Sequence, residues 1–439
     1  MNKSKLLYGI PYLILLSVLT LFFWTFQLEQ IGFLIFLAAI FLIFVLFKNV
    51  MPSIPILLNS LFMISQTEWT LNNIPLYLYL TPIVLILGIV IHIIRFKVNI
   101  FKGKMTLGIA LMFLAMLLSS INAEFININY IFYGVIGLVY AFIYFFYVNS
   151  IKGNHIDYLL QMMMILGVLI SFEVLIYYIR VEDVLYALEH KTIDLGWGIS
   201  NFIATYLIMF IPTTFYFAKT SKINFFWIFL GIFEILMLFF TLSRGGILAF
   251  LLIFILVLIF LLKSSNWKLT LLNFALTIAI LTLLSIYNYD LFSAIYDRFM
   301  NLLLDDSGRI EIYKDAIATF LAHPLFGAGI FARLDALGDY RMYHNTILHT
   351  MATFGAVGLI GLLIQFYQMF RVFVYQLKPQ TLILSISVLG AMAHGMIDNV
   401  YFMPQFMIML FIIIAVVENS NKAYLETHQI ERLSEGVIA

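Results

Sequence analysis

GIFEILMLFFTLSRGGILAFLLIFILVLIFLL, residues 231–262, decides the fold. Two apolar runs, each close to the roughly 20 residues a helix needs to cross about 30 Å of hydrocarbon, are joined by the short polar stretch Thr241 to Gly246. A pair of membrane-crossing helices with a tight turn between them accounts for this pattern, since helices satisfy their own backbone polar groups in lipid.

The rest of the chain repeats the theme. Of 439 residues, 63% are hydrophobic and 11% charged, against about 25% charged in a soluble domain. The hydropathy pattern predicts an all-α polytopic membrane protein with about 14 (12–14) transmembrane helices, at 7–26, 31–47, 50–66, 75–96, 105–121, 129–149, 158–179, 198–217, 224–242, 245–262, 268–287, 346–374, 380–397 and 402–418. The first run is too long for a signal-peptide core and lacks a small-residue cleavage site, so it reads as a retained span. The third is interrupted by Pro52, Pro55 and Asn59, and it is kept because its loss alone would invert every later loop. No repeat at a fixed period and no separate soluble domain is visible, so residues 1–439 read as one integral membrane domain. A net charge of +1 without a basic low-complexity arm gives no ground for a nucleic-acid partner. The absence of cysteine excludes disulfide frameworks, thiol nucleophiles and cysteine-ligated metals.

Charge sets the orientation. With the N-terminus inside, 16 of the 24 basic residues fall in cytoplasmic segments, among them a tail at 419–439, as the excess of Lys and Arg on that side requires. Two outward loops are long, 180–197 and 288–343. The eight outward basic residues are Arg180, Lys191, Arg244, Arg298, Arg309, Lys314, Arg333 and Arg341, six of them arginine although arginine supplies nine of the 24 overall. A surface depleted of cations has kept the side chain that grips phosphate bidentately, which points to an anionic ligand outside. Single interfacial arginines also snorkel to lipid headgroups, so the inference belongs to the set.

Within the set, Arg244 of TLSRGG sits at the outer boundary, with Gly245 and Gly246 free to turn tightly or approach a bound group. DDSGRIEIYKDAIATFLAHPLFGAG, 305–329, reads as a short amphipathic helix: Asp306 or Ser307 caps it, Ile310, Tyr313, Ile317 and Phe320 recur at helical spacing, and Pro324 ends it. Arg309 then lies in the first turn, where free amides add to its attraction for an anion. Gly327 and Gly329 form a sharp return, while Lys314 and Arg333 read as solvated charges. RMYHNTILH, 341–349, follows at the mouth of a long span. His344 can take a proton near neutral pH and Asn345 can orient a hydroxyl; Arg341 adds a third cation. His349 points about 140° away around a helix and reads as a bystander.

In order, TLSRGG at 241–246, GR with a following aromatic and HPLFGAG at 308–329, and YHN with FGAVGLIGLL at 343–363 resemble the O-antigen ligase and polymerase superfamily. These bacterial enzymes transfer or polymerise glycans carried on undecaprenyl diphosphate. The resemblance covers about 140 residues, marks 198–375 as the ligase-like core, and extends to GISNFIATYLIMFIP at 198–212, with Asn201 near the outer face. It implies a glycosyltransferase without metal or cofactor in the bacterial cytoplasmic membrane, its site facing outside. Residues matching Arg244 and Arg309 would hold the donor diphosphate, and His344 would act as base. Its implied partners are an undecaprenyl-diphosphate-linked glycan donor, a glycan or lipid acceptor, the lipid bilayer, a flippase and a chain-length regulator. Tyr313 stands where the family often has tryptophan.

Other polar residues are weighed beside these. Asp398, at the outer end of the thirteenth span, is placed to orient the histidine or bind sugar hydroxyls, and Ser243 beside Arg244 to support the site. Glu173 and Glu234 read as protonated structural donors, His394 as a packed polar residue, and His92 as a histidine with no evident partner. Three functions fit: a polymerase building capsule, exopolysaccharide or O-antigen; a ligase passing finished glycan to another acceptor; and a flippase for the same lipid-linked sugars. A transporter places its polar sites near the midplane, whereas here they gather at the outer boundary.

Overall fold

The computed structural model describes residues 6–63, 76–124, 126, 128–264, 267–302, 308–333 and 341–436. These form α-helices throughout with no strand among them, in the order α1 (Ile10–Thr25), α2 (Glu29–Leu46), α3 (Ser53–Leu61), α4 (Leu76–Phe96), α5 (Thr106–Ser119), α6 (Ile128–Ser150), α7 (Ile156–Arg180), α8 (Val184–His190), α9 (Ser200–Thr220), α10 (Asn224–Phe240), α11 (Arg244–Leu262), α12 (Trp267–Tyr287), α13 (Tyr289–Leu302), α14 (Arg309–Ala322), α15 (Thr346–Val374), α16 (Pro379–His394) and α17 (Pro404–Gly436). Seven of them are long and apolar enough to cross a membrane: α2, α7, α9, α11, α12, α15 and α17, the last through Glu426. α17 runs on as one helix through the tail expected at 419–439, as far as Gly436. The segment expected as one large loop, 288–343, carries the two helices α13 and α14. α9 is at the centre of the bundle, packed on α7, α10, α11 and α16 and buried along nearly its whole length.

The third expected span is not a transmembrane helix of its own. α3 has nine residues and rises only about 14 Å, because Pro52 and Pro55 limit it at the start. It climbs beside α1 nonetheless. Tyr12 Oη donates to Pro52 O (3.0 Å), the hydroxyls of Ser17 and Thr20 donate to Asn59 Oδ1 (3.1 Å each), and Met63 lies against Gly32 at the far end. The direction of α4 agrees. His92 Nδ1 is 2.8 Å from Phe44 O, so α2 and α4 bring their C-terminal ends to the same level, and His92 has the partner the sequence did not reveal. α2 and α4 therefore run in the same direction.

The two ends differ in charge. At one end Asn49 donates to Lys152 O, Asn149 to Lys102 O, Lys219 to Phe260 O, Glu418 pairs with Lys422 at 3.1 Å, and Lys378 packs over Tyr424. At the opposite end lie the starts of α9, α11, α14 and α15 and the end of α16, which together frame the candidate site.

α15 is not continuous. Gly355, at φ +64° and ψ −159°, breaks it, and the break is closed by the return loop. Ala328 N–H donates to Ala352 O (2.9 Å) and Gly329 N–H to Thr353 O (3.1 Å), while Ala356 N–H reaches Pro324 O (2.9 Å) and Val357 N–H reaches Leu325 O (3.2 Å). The carbonyls of Ala352 and Thr353 and the amides of Ala356 and Val357 would otherwise pair within α15, so HPLFGAG replaces one turn of helical hydrogen bonds with its own backbone. A Cβ on Gly327 would come within 2.3 Å of the Thr353 carbonyl carbon, so the two chains approach closer than any side chain permits. This joint fixes where α14 and the first turns of α15 stand.

Candidate active site

His344 lies just ahead of α15, which Asn345 caps: its Oδ1 accepts from Leu348 N–H (3.0 Å) while its Nδ2 donates to Met396 O (2.7 Å). Both ends of that amide are thus engaged, and Asn345 supports His344 through the backbone. Tyr313 of α14 donates from Oη to His344 O (2.9 Å), where burial, outweighing the Arg309 charge, holds its hydroxyl above the ordinary range. The imidazole is then fixed by Asp398: Nδ1 is 2.8 Å from Oδ1, and the two residues have side-chain exposures of 40% and 8%.

Asp398 has five influences to balance. Burial would raise its carboxyl, but the hydrogen bond and charge of His344, together with His394 and Arg309, outweigh it and hold the group below the usual carboxylate range. It is therefore ionised at neutral pH and can only accept. The Nδ1–H of His344 donates to it, which leaves the Nε2 lone pair facing outward. The Asn399 N–H also donates to Oδ1 (2.9 Å), and Asn201 Nδ2 donates to Oδ2. Asn201 Oδ1 accepts from Ser243 Oγ (2.9 Å) and from Lys191 Nζ (3.0 Å). Four parts of the chain, at 191–201, 243, 344 and 398, so share one polar network.

TLSRGG is the turn that brings Ser243 there. Leu242 takes φ +57°, a region a bulky residue rarely adopts, and Ser243 Oγ caps α11 by accepting from Gly246 N–H (3.2 Å). Arg244 is the first residue of α11 and half-buried. A Cβ on the neighbouring Gly245 would meet Ile397 at 2.8 Å, so small residues let the turn press against the Asp398 segment. Arg309 opens α14 and acts electrostatically on both Asp398 and Tyr313. The cap differs from expectation: Gly308, at φ +70°, precedes Arg309, and Asp306 and Ser307 lie outside the described residues. Arg341 is exposed at the rim.

Arg333 is not a free surface charge. Its Nη1 donates to Met342 O (3.1 Å), its Nε is 3.9 Å from Asp315, and its guanidinium stands 5.9 Å from the Tyr343 ring, bracing the segment that carries His344. His394 is buried with Nδ1 2.8 Å from Thr205 Oγ1. Glu234 Oε1 accepts from Thr214 (2.9 Å) and Glu173 Oε2 from Trp197 Nε1 (2.8 Å), so in these contacts both are acceptors rather than the expected donors. His349 is buried and lines an apolar cleft of about 410 Å³ between α5, α6, α15 and α17, together with Met342, Met116, Ala110, Gly137 and Ala141. The cleft reaches the segment that carries His344 through Met342. Lys191 is the site residue the sequence did not mark, because nothing local sets it apart from the other outward cations.

The arrangement offers a carboxylate-oriented imidazole with a free nitrogen, in a setting of arginines at two helix starts. That combination can remove a proton from a hydroxyl next to a bound anion. No curated protein matches the chain. Residues 227–363 match the O-antigen ligase family. The matched stretch contains Arg244, Arg309, His344 and the Gly327–Gly355 joint, and over it the chain is similar to the O-antigen ligase family.

Proposed function

We propose that the chain is a membrane glycosyltransferase that polymerises undecaprenyl-diphosphate-linked oligosaccharides into a surface polysaccharide on the outer face of a bacterial cytoplasmic membrane. The observation that carries this reading is His344, locked through Nδ1 on Asp398 with Nε2 left open. The basic residues collected at the opposite end favour a cytoplasmic location for that end, with fourteen crossings of the membrane if the segment containing α3 completes one.

The acceptor hydroxyl oxygen attacks the anomeric carbon of the donor while His344 Nε2 takes its proton. The bond from that carbon to the lipid diphosphate breaks, and the diphosphate departs with the electron pair. Arg244 and Arg309 meet the charge that grows on it. Attack opposite the leaving group inverts the anomeric centre. The imidazolium formed is stabilised by Asp398 and returns its proton to solvent or to the departing phosphate.

Charge placement makes the arginines testable. Arg244→Ala and Arg309→Ala are each expected to weaken binding of undecaprenyl diphosphate by about 1.5–3 kcal/mol, on the order of tenfold to a hundredfold, as lost charge-assisted hydrogen bonds do. Titration of the lipid against purified protein in nanodiscs measures this, and unchanged affinity in both variants removes the diphosphate site. The polymerase assignment has its own test. Deletion of the chain is expected to leave single repeat units on the carrier lipid, whereas loss of a ligase leaves long chains stranded there.

The apolar cleft beside Met342 suits the isoprenoid chain of the donor. A photoactivatable polyprenyl diphosphate is expected to crosslink to the lining helices α5 and α6. Crosslinks confined to α10–α12 would place the chain elsewhere.

A further inference from the structure

Asn201 has a carbonyl and an amino group of nearly equal shape, so its hold on Asp398 is set from both sides: the carboxylate, which only accepts, draws Nδ2, and the neighbours of Oδ1 decide how firmly the amide stays that way round. Two neighbours touch its Oδ1. Ser243 Oγ, at 2.9 Å, is a hydroxyl and can either donate or accept. Lys191 Nζ, at 3.0 Å, carries donors alone. If the amide turned over, its amino group would face the ammonium and its carbonyl would face the Asp398 carboxylate, two repulsive contacts in place of two attractive ones. Ser243 could follow that rotation; Lys191 could not.

Lys191 is held where this matters. It closes α8 in the left-handed region at φ +55°, and the chain that follows it is anchored. Thr192 O accepts from Tyr177 Oη (2.9 Å), Leu195 O accepts from Trp24 Nε1 (2.9 Å), and Trp197, fully buried, donates to Glu173 at 2.8 Å. The two indoles and the buried glutamate thereby fix an outer segment that would otherwise be free to drift. Lys191 and Asn201 both lie outside the stretch that matches the ligase family, 227–363.

We infer that Lys191 is a positioning residue: its ammonium sets the Asn201 amide with Nδ2 toward Asp398, and through Asp398 it sets the imidazole of His344. This rests on the assignment of His344 as the base. Lys191→Met keeps the length of the stem and removes the donors; Lys191→Arg keeps them. Solid-state ¹⁵N NMR of the histidine-labelled protein in liposomes, with the His344 signals obtained by difference from His344→Gln, reads the tautomer without any substrate. One Nδ1–H form is expected in the native protein and in Lys191→Arg, and a mixture of tautomers in Lys191→Met. Lys191→Met added to Asn201→Ala is expected to change nothing further, since the amide through which it acts is gone.

In cells, Lys191→Met is expected to cut polymer by about tenfold to a hundredfold, the usual scale for loosened support of a reacting group, with Lys191→Arg restoring most of it. A native His344 tautomer in Lys191→Met, or an additive loss in the double variant, would overturn the inference. The base assignment fails separately, if His344→Ala keeps its activity.

Discussion

Asp398→Asn is expected to lower glycan transfer by about 10⁴-fold while the protein still inserts and folds, the scale seen where an amide replaces the carboxylate that orients a catalytic histidine. Asparagine is nearly isosteric, so the packing around residue 398 survives. Its amino group, however, would present a donor to one of two nitrogens that at present find only acceptors: His344 Nδ1 at 2.8 Å and the Asn201 amide. If the new amino group faces His344, the imidazole must accept at Nδ1 and carry its proton on Nε2, where the base needs a lone pair. If it faces Asn201, the two amides repel. The backbone donor of Asn399 at 2.9 Å favours keeping the carbonyl on the His344 side, so the expected damage there is also the loss of negative charge that stabilises the imidazolium. Both routes reach the same reaction step. Turnover measured on the reconstituted protein, with circular dichroism and elution volume as controls for folding, checks this, and a loss below tenfold would mean that Asp398 serves packing alone.

Gly355→Ala is expected to act on folding instead. The position has φ +64° and ψ −159°, and a Cβ there would come within 2.5 Å of Gly327 N and of the Leu325 carbonyl. Backbone strain of this kind costs about 1–3 kcal/mol and overpacking a further 1–3 kcal/mol, a large part of the 5–15 kcal/mol by which proteins are stable. The damage does not stop at sterics. Moving the two chains apart breaks the four backbone hydrogen bonds between 324–329 and 352–357. Gly327→Ala is expected to behave alike. Gly137→Ala is the control, because its Cβ would find only the Met116 sulfur at 3.7 Å, an ordinary contact. Thermal unfolding in detergent should separate the pairs, and a Gly355→Ala protein as stable as Gly137→Ala would show that the joint is not needed.

These two sites also divide what the sequence discloses from what it conceals. Apolar length made the all-helical fold legible, because it is a local property of the chain. TLSRGG, Arg309 at a helix start and the YHN stretch were legible for the same reason: each motif marks a boundary between polar and apolar chain. Asp398 could be suspected from its level in the membrane. What joins them could not, since Asn201 and Asp398 are 197 positions apart and meet only after α9 and α16 pack. Lys191 is hidden likewise, and so is the bond between His92 and Phe44. The break in α15 left no trace because FGAVGLIGLL reads as uninterrupted apolar helix, and its cause lies in HPLFGAG some thirty positions earlier. Arg333 looked like a solvated charge because its acceptor is a backbone carbonyl, which no residue name reveals. The nine residues of α3 show the reverse difficulty: Pro52 and Pro55 announced an interrupted helix, but only its contacts with α1 told which way the segment runs.

Transfer from lipid diphosphate depends on His344 as its base. The direct test is single-turnover transfer in proteoliposomes, from an undecaprenyl-diphosphate-linked oligosaccharide to an acceptor hydroxyl, comparing native protein with His344→Ala. General-base removal is expected to lower the rate by about 10²–10⁴-fold while binding of undecaprenyl diphosphate stays within a factor of about three, less than 1 kcal/mol. Transfer by His344→Ala at the native rate would contradict the account, as would a loss that appears wholly in binding and leaves the bound rate unchanged.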